Sequence, residues 1–172
     1  MQAFSFHPGE ARIAELVHAY LLADYRWELD RHWLNLQIGR PAPDLVARFP
    51  QARHFGLISA WDPHSVPRSE QANRDADQAL QNDLLASGAI FRAAFSSAAN
   101  RTWREPSWLV VDLPVDSFDA LAARYGQLGT LYWAAGTDVR MRIYAARPAS
   151  FESQPALDWL GADAKSRANP AV

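Results

Sequence analysis

The sequence predicts an α/β (α+β) sandwich, in which helices pack on a mixed β-sheet of about six to seven strands. Helix-like and strand-like apolar patterns alternate through the middle of the chain, and hairpin patterns flank them. Residues 54–60 form a continuous apolar run, which is typical of a central strand covered on both faces. The 172 residues are 49% hydrophobic and include 7 Trp, 5 Tyr and 8 Phe, enough for one core. We therefore expect a single domain over residues 1–150.

The N-terminal part predicts a helix, a hairpin and a second, short helix. Pro8 stands where a helix can begin, and apolar residues then recur on one helical face as far as Leu21. Alternation over residues 25–39 predicts a hairpin that turns near Asp30. Asp44 is expected to cap a short helix that runs to Phe49.

The central part predicts a strand, a polar loop and a long helix. The apolar run that starts at His54 stops in the polar loop 61–68, and Ser69 is a plausible N-cap for a helix that ends at Gly88. Strand ends followed by such loops are common ligand sites in α/β proteins. The loop is therefore the first place to look for function.

The remaining elements complete the predicted sheet. Residues 90–95 and 108–113 are expected to be strands, separated by a polar connection of twelve residues, which is long enough to suggest function or mobility. Asp116 is expected to cap a helix that ends at Gly126, and residues 128–144 predict a hairpin around 135–138. A short helix at 157–160 and a disordered tail from Gly161 onward are expected after residue 150.

Composition limits the classes of function. The formal net charge is −2 at pH 7, which disfavours nucleic acid as a partner without excluding it and gives no attraction to an anionic membrane. There is no cysteine, so disulfides, thiolate metal sites and a cysteine nucleophile are excluded. The first residues lack the pattern of a signal peptide, and no run approaches the length of a membrane span. We expect a cytoplasmic protein.

Common catalytic motifs are missing from the sequence. It contains no Gly-x-Gly-x-x-Gly, Walker loop, Gly-x-Ser-x-Gly or His-Glu-x-x-His pattern, and its 5 His show no ligand-type spacing. We therefore expect no metal site and no cofactor.

Four segments together resemble the DUF3293 family, a family of unknown function. They are Phe55-Gly-Leu-Ile-Ser-Ala-Trp-Asp-Pro-His-Ser65, Asn73, Trp103-Arg-Glu-Pro-Ser107 and Arg124-Tyr-Gly-Gln127. The resemblance extends from about residue 25 to residue 144. It identifies related proteins, but it implies no activity for this chain. Members of the family typically have Asn where this chain has Asp62, so an amide donor is replaced by a carboxylate.

Two loops contain most of the candidate functional side chains. The loop after residue 60 and the helix start that follows it combine carboxylate, imidazole, hydroxyl and guanidinium groups near free helical N–H groups, a set that suits an anion. The segment before Ser107 combines cations, an aromatic ring and a carboxylate, which could stack on and pair with a nucleotide. The candidate ligand-binding residues are Trp61, Asp62, Ser65, Asn73, Arg74, Trp103, Arg104, Glu105 and Gln127.

Both groups also have purely structural explanations. Asp62 and Ser65 can cap a turn that Asn73 holds by hydrogen bonds. Glu105 can form an ion pair with one of the two nearby arginines, Arg101 or Arg104, that closes the second loop, with Trp103 as its lid.

Three functions follow from these residues. The first is a small binding module whose two loops form a polar cleft for an anionic or nucleotide-like ligand. The second is a hydrolase or transferase with Asp62 and Glu105 as an acid–base pair and His64 assisting, which requires the two loops to meet at one edge of the sheet. The third is an interaction module that contacts a partner protein or forms a homodimer.

Overall fold

Within residues 9–161, eight strands form one sheet and four helices pack against it. The computed structural model describes residues 9–161. The elements are α1 (Glu10–Leu22), β1 (Asp24–Leu29), β2 (His32–Leu36), α2 (Pro43–Arg48), β3 (His54–Ile58), a 3₁₀ turn (Pro63–Ser65), α3 (Glu70–Ser87), β4 (Ile90–Ser97), β5 (Arg104–Val111), α4 (Val115–Arg124), β6 (Gly129–Ala134), β7 (Met141–Ile143) and β8 (Leu157–Trp159).

The sheet is mixed, as predicted, and has one or two more strands than expected. Its order is β2-β1-β4-β5-β3-β6-β7-β8, which places β3 inside the sheet. All neighbours are antiparallel except β7 and β8. The predicted α/β (α+β) class and the central position of β3 are confirmed.

Helices cover both faces of the sheet, because side chains alternate along each strand. On the first face, α1 and α2 contribute Val17 and Leu45 to a core that includes Phe55 of β3. On the second face, α3 and α4 contribute Leu80 and Phe118 to a separate core. The architecture is therefore a sandwich with the sheet in the middle layer.

Local sequence signals place several of these elements. Asp30 and Arg31 both have positive φ, 48° and 67°, as a two-residue turn between right-twisted strands requires. The Ser69 hydroxyl accepts a hydrogen bond from the Ala72 N–H at 3.2 Å, and Gly88 ends α3 in the left-handed conformation. The predicted hairpin turn and both ends of α3 are confirmed.

Three predicted details are wrong. Asp44 and Asp116 lie in the first turns of α2 and α4 rather than at the N-caps. The twelve-residue connection is shorter than expected, because β4 continues to Ser97 and β5 already begins at Arg104. Residues 157–159 form β8 and not a helix, so the sheet continues past the expected domain boundary at residue 150.

One ion pair helps to explain why residues 157–159 form a strand instead of the expected helix. Arg140 donates to the Asp158 carboxylate from Nε at 2.9 Å and from its terminal NH2 nitrogen at 2.7 Å, which fixes β8 beside β7.

The expected start of the first helix at Pro8, and the expected tail after Gly161, lie outside the described residues. None of the helices within residues 9–161 has the length and apolar character needed to cross a membrane.

Candidate functional site

A cavity of about 300 Å³ lies between α1 and the sheet, beside the loop that follows β3. Leu16 of α1 and Leu57 and Leu131 of the sheet give it apolar walls, and hydroxyl groups of several Ser, Thr and Tyr residues also line it. Its charged lining residues are Arg12, Asp62 and Glu105. An apolar cavity with a few convergent polar groups is the usual form of a small-molecule site.

Asp62 is held at the cavity by Asn73 of α3. The Asp62 N–H donates to Asn73 Oδ1 at 2.9 Å, and Asn73 Nδ2 donates to Asp62 Oδ1 at 2.8 Å. Arg68 adds hydrogen bonds from Nε to Asn73 Oδ1 at 2.6 Å and from a terminal nitrogen to the Ala60 carbonyl at 2.8 Å. Asn73 is buried and does not line the cavity, so it positions Asp62 from behind, as the structural explanation expects.

The backbone of this loop is strained. Asp62, His64 and Ser65 have φ values of 40°, 57° and 57°, in the left-handed region that L-residues seldom occupy. Each such residue costs on the order of 1 kcal/mol, which surrounding contacts must offset. One of these contacts is the hydrogen bond from the His64 N–H to the Gly126 carbonyl at 2.7 Å. Such strain is frequent at functional sites.

Glu105 reaches the same cavity from β5. It points to the same side of the strand as Ser107, which also lines the cavity. Burial raises the pKa of Glu105 from 4.5 to about 7, and the nearby Asp62 carboxylate adds to the increase. The two loops therefore meet at one edge of the sheet, as the acid–base hypothesis requires.

The opposite wall of the cavity consists of residues of α1 that were not among the candidate site residues selected from the sequence. The Tyr20 hydroxyl is hydrogen-bonded to the Ser65 hydroxyl, and the Tyr25 hydroxyl donates to the Tyr20 carbonyl at 2.7 Å. Burial raises the pKa of Tyr20, so its hydroxyl is neutral near pH 7. Tyr20 was assigned to the apolar face of its helix, and only the fold reveals that this face ends at a cavity.

Other predicted residues contribute in different ways. Trp61, Trp103 and Gln127 line the cavity. Gln127 also donates a hydrogen bond from Nε2 to the Trp61 carbonyl at 3.1 Å. The Trp61 Nε1 atom is buried without a hydrogen-bond partner among the described residues. Gln127 thus braces the same loop that Asn73 holds.

Besides Asn73, three predicted residues do not line this cavity. The His64 ring lies against Gly126. Arg74 is exposed and forms an ion pair with Glu70 at 2.6 Å on the surface of α3. Arg104 points to the opposite face of β5 from Glu105, because neighbouring residues of a strand face opposite sides, and its guanidinium lies 3.8 Å from the centre of the Phe95 ring. No ion pair within residues 9–161 joins Glu105 to Arg101 or Arg104, so the expected Glu–Arg pair is wrong.

Acidic side chains outnumber basic ones among the described residues that line the cavity. Arg12 is the one basic lining residue among those that the structure describes, and it donates to Glu15 at 2.7 Å. Asp62 and Glu105 are both acidic. No group of three or more His, Asp or Glu within residues 9–161 is arranged to hold a metal ion.

Fold and site together define a small α/β protein with a partly acidic cavity at one edge of its sheet. The model of the DUF3293 family, described as a protein of unknown function, matches residues 58–129. The resemblance noted from the sequence is confirmed over this span, which is shorter than residues 25–144. The matched residues include Asp62, Asn73, Glu105 and Gln127, whereas Tyr20 lies outside them.

Comparison with curated proteins and with solved structures gave no significant match.

Proposed function

We propose that the protein is a small-molecule binding module whose cavity takes a compact ligand with a cationic or hydrogen-bond-donating group. The observation that carries this proposal is the convergence of Asp62 and Glu105 on one cavity. Among the described residues its single lining guanidinium, Arg12, already pairs with Glu15. An ammonium group placed between the two carboxylates would gain charge-assisted hydrogen bonds. It would also offset the repulsion from Asp62, which adds to the effect of burial in raising the pKa of Glu105.

The anionic or nucleotide-like ligand expected from the sequence fits this cavity less well. That expectation depended on Arg74 and Arg104, and neither lines the cavity. An anion would add a further negative charge beside two carboxyl groups in a partly buried site, where charges are weakly screened.

Size and shape narrow the ligand further. A cavity of about 300 Å³ is at the lower end of the range for small-molecule sites. Its apolar walls suit a hydrocarbon or aromatic body, and the carboxyl groups suit a single polar head. A compact amine with an apolar body meets both requirements.

Three probes of equal size test the charge preference: benzylamine, benzyl alcohol and benzoate, titrated at pH 8 and followed by NMR chemical-shift changes. We expect benzylamine to bind at least about tenfold more tightly than benzyl alcohol, a difference of about 1.4 kcal/mol, and benzoate to bind most weakly. Glu105→Gln should weaken the preference for benzylamine, because only the Asp62 carboxylate then remains in the cavity. Glu152→Gln, which changes an exposed glutamate outside the cavity, is the matched control.

Two results would contradict the proposal. One is tighter binding of benzoate than of benzylamine. The other is a benzylamine affinity that Glu105→Gln and Glu152→Gln change equally, since the cavity carboxyl group would then contribute nothing.

A second candidate is acid–base catalysis by a hydrolase or transferase. The observation in its favour is a carboxyl group with a pKa of about 7 beside a second carboxylate, because a general acid or base works best when its pKa is near the working pH. Ser65 and Tyr20 would supply hydroxyl groups in the same cavity.

Turnover of p-nitrophenyl acetate, p-nitrophenyl phosphate and p-nitrophenyl glucoside tests this candidate. General acid–base catalysis contributes about 10²–10⁴-fold, so Glu105→Gln should lower kcat by that factor and abolish an ionisation near pH 7 in the rate profile. Equal turnover by the variant and the original protein would exclude Glu105 as the acid or base.

A further inference from the structure

A second hollow lies on the opposite face of the sheet. Its volume is about 350 Å³, and its lining includes the rings of Trp33, Phe95 and Trp108 and the guanidinium of Arg104. Trp61 lines both this hollow and the cavity. We call this second site the aromatic hollow.

The rings of the aromatic hollow are held in place by their neighbours. Trp33 meets Phe95 edge to face, with ring centres 4.8 Å apart. Trp108 Nε1 donates to the Asp77 carboxylate at 2.9 Å, and the Trp108 ring meets Phe91 edge to face at 5.4 Å. Rings fixed in this way lose little conformational freedom when a ligand binds.

Of residues 9–161, Arg104 is the one charged residue in the lining of the aromatic hollow. Its guanidinium lies over two rings, 3.8 Å from the centre of Phe95 and 5.6 Å from that of Trp33. Among residues 9–161 it forms no ion pair with a carboxylate. A cation stacked on aromatic rings keeps its N–H donors available at the edge of its plane.

We propose that the aromatic hollow is a binding site for a planar aromatic ligand that carries an anionic group. The ring of the ligand packs against Trp33, Phe95 and Trp108, and its anion pairs with Arg104. Charge complementarity selects this class, because the part of the chain that the structure describes gives the hollow one guanidinium and no lining carboxylate. This site is separate from the cavity and does not depend on what the cavity binds.

Two pairs of probes test the proposal by titration of the ¹⁵N-labelled protein, with the indole N–H and Arg Nε–H signals as readouts. Indole-3-acetate is compared with uncharged 3-methylindole, and AMP is compared with adenosine. We expect the anionic member of at least one pair to bind tenfold or more tightly than its neutral partner and to shift the Trp33, Trp108 and Arg104 signals. The pair that shows the preference identifies the anion as a carboxylate or a phosphate.

Variants separate the role of charge from that of the fold. Arg104→Gln should reduce the affinity for the anionic probe to that for its neutral partner, and Arg104→Lys should give an intermediate affinity, since it keeps the charge but loses the planar stacking. Arg74→Gln, which changes another exposed arginine, is the matched control and should leave the affinity unchanged.

Three outcomes would overturn the proposal. The first is equal affinity for charged and neutral probes in both pairs. The second is an affinity that Arg104→Gln leaves intact. The third is a change of the same indole signals with protein concentration in the absence of any probe, which would assign the aromatic hollow to contact with a second copy of the chain.

Discussion

Asp62 and Asn73 are joined by two hydrogen bonds that run in opposite directions. Backbone N–H of Asp62 donates to Asn73 Oδ1 at 2.9 Å, and Asn73 Nδ2 returns a hydrogen bond to Asp62 Oδ1 at 2.8 Å. The pair connects the loop after β3 to α3 and thereby sets the position of one cavity carboxylate. Because Asn73 is only 2% exposed, water cannot readily replace it.

Substitution Asn73→Ala should destabilise the protein. It leaves the Asp62 backbone N–H without its acceptor and removes one of two donors to Asp62 Oδ1, the other being the Arg68 N–H at 3.2 Å. The expected loss is about 1–3 kcal/mol in the free energy of unfolding. Urea denaturation measures this change. Asn82→Ala on the exposed side of the same helix is the control and should cost less than about 0.5 kcal/mol. Equal effects of the two substitutions would show that Asn73 does not hold the loop.

Glu105 should make stability depend on pH. Its pKa is raised from 4.5 to about 7 in the folded protein, so the folded state binds the proton more tightly than the unfolded state does. The contribution of Glu105 to stability is therefore fully present below pH 4.5 and is lost as pH rises through about 7. The loss is at most about 3 kcal/mol, since one pKa unit corresponds to about 1.4 kcal/mol.

Chemical denaturation of the original protein and of Glu105→Gln between pH 4.5 and pH 8 measures this dependence. The stability of Glu105→Gln relative to the original protein should increase as pH rises over this range. The exposed substitution Glu152→Gln should give a much smaller pH-dependent difference. A pH-independent difference for Glu105→Gln would mean that the Glu105 pKa is not raised.

Asp62→Asn should lower the pKa of Glu105. The Asp62 carboxylate is the second cause of the raised pKa and burial is the first, so the pKa should fall but stay above 4.5. An amide at position 62 keeps an acceptor for Asn73 Nδ2, and we expect the variant to fold. A ¹³C NMR titration of the Glu105 side chain measures the pKa. Asp75→Asn, on the exposed surface of α3, is the control, and an unchanged pKa in Asp62→Asn would show that the two carboxyl groups do not interact.

Local signals were enough to predict most elements of the fold. The cap at Ser69, the stop at Gly88 and the turn at Asp30 each depend on a few neighbouring residues, and the structure confirms them. The sequence could not predict that the loops containing Asp62 and Glu105 meet, because strand order depends on contacts between residues distant in sequence. The acid–base hypothesis could only require it.

The start of β5 was missed for a reason that the structure explains. Its first residues include Pro106, which has no N–H and argues against an interior strand. The pairing of β3 with β5 stops at Ile58 and Trp108, so the stretch 104–107 pairs only with β4 and tolerates the proline. Because the predicted strand did not include residues 104–107, the sequence could not predict that Arg104 and Glu105 face opposite sides of the sheet.

Gly56 in β3 should not tolerate a side chain. A Cβ atom at this position would lie 2.9 Å from Phe118 Cζ, and Phe118 is fully buried in the second core, so the ring cannot move freely. Gly56→Ala should therefore cost about 1–3 kcal/mol in the free energy of unfolding, the usual effect of overpacking a core. Gly9→Ala is the control, because a Cβ at residue 9 meets no atom of the described residues within 4 Å. In a double-mutant cycle, Phe118→Leu should cost less in the Gly56→Ala background than alone, because the smaller side chain makes room for the added methyl group. Additive effects of the two substitutions would show that the close approach of β3 to α4 is not what requires glycine at position 56.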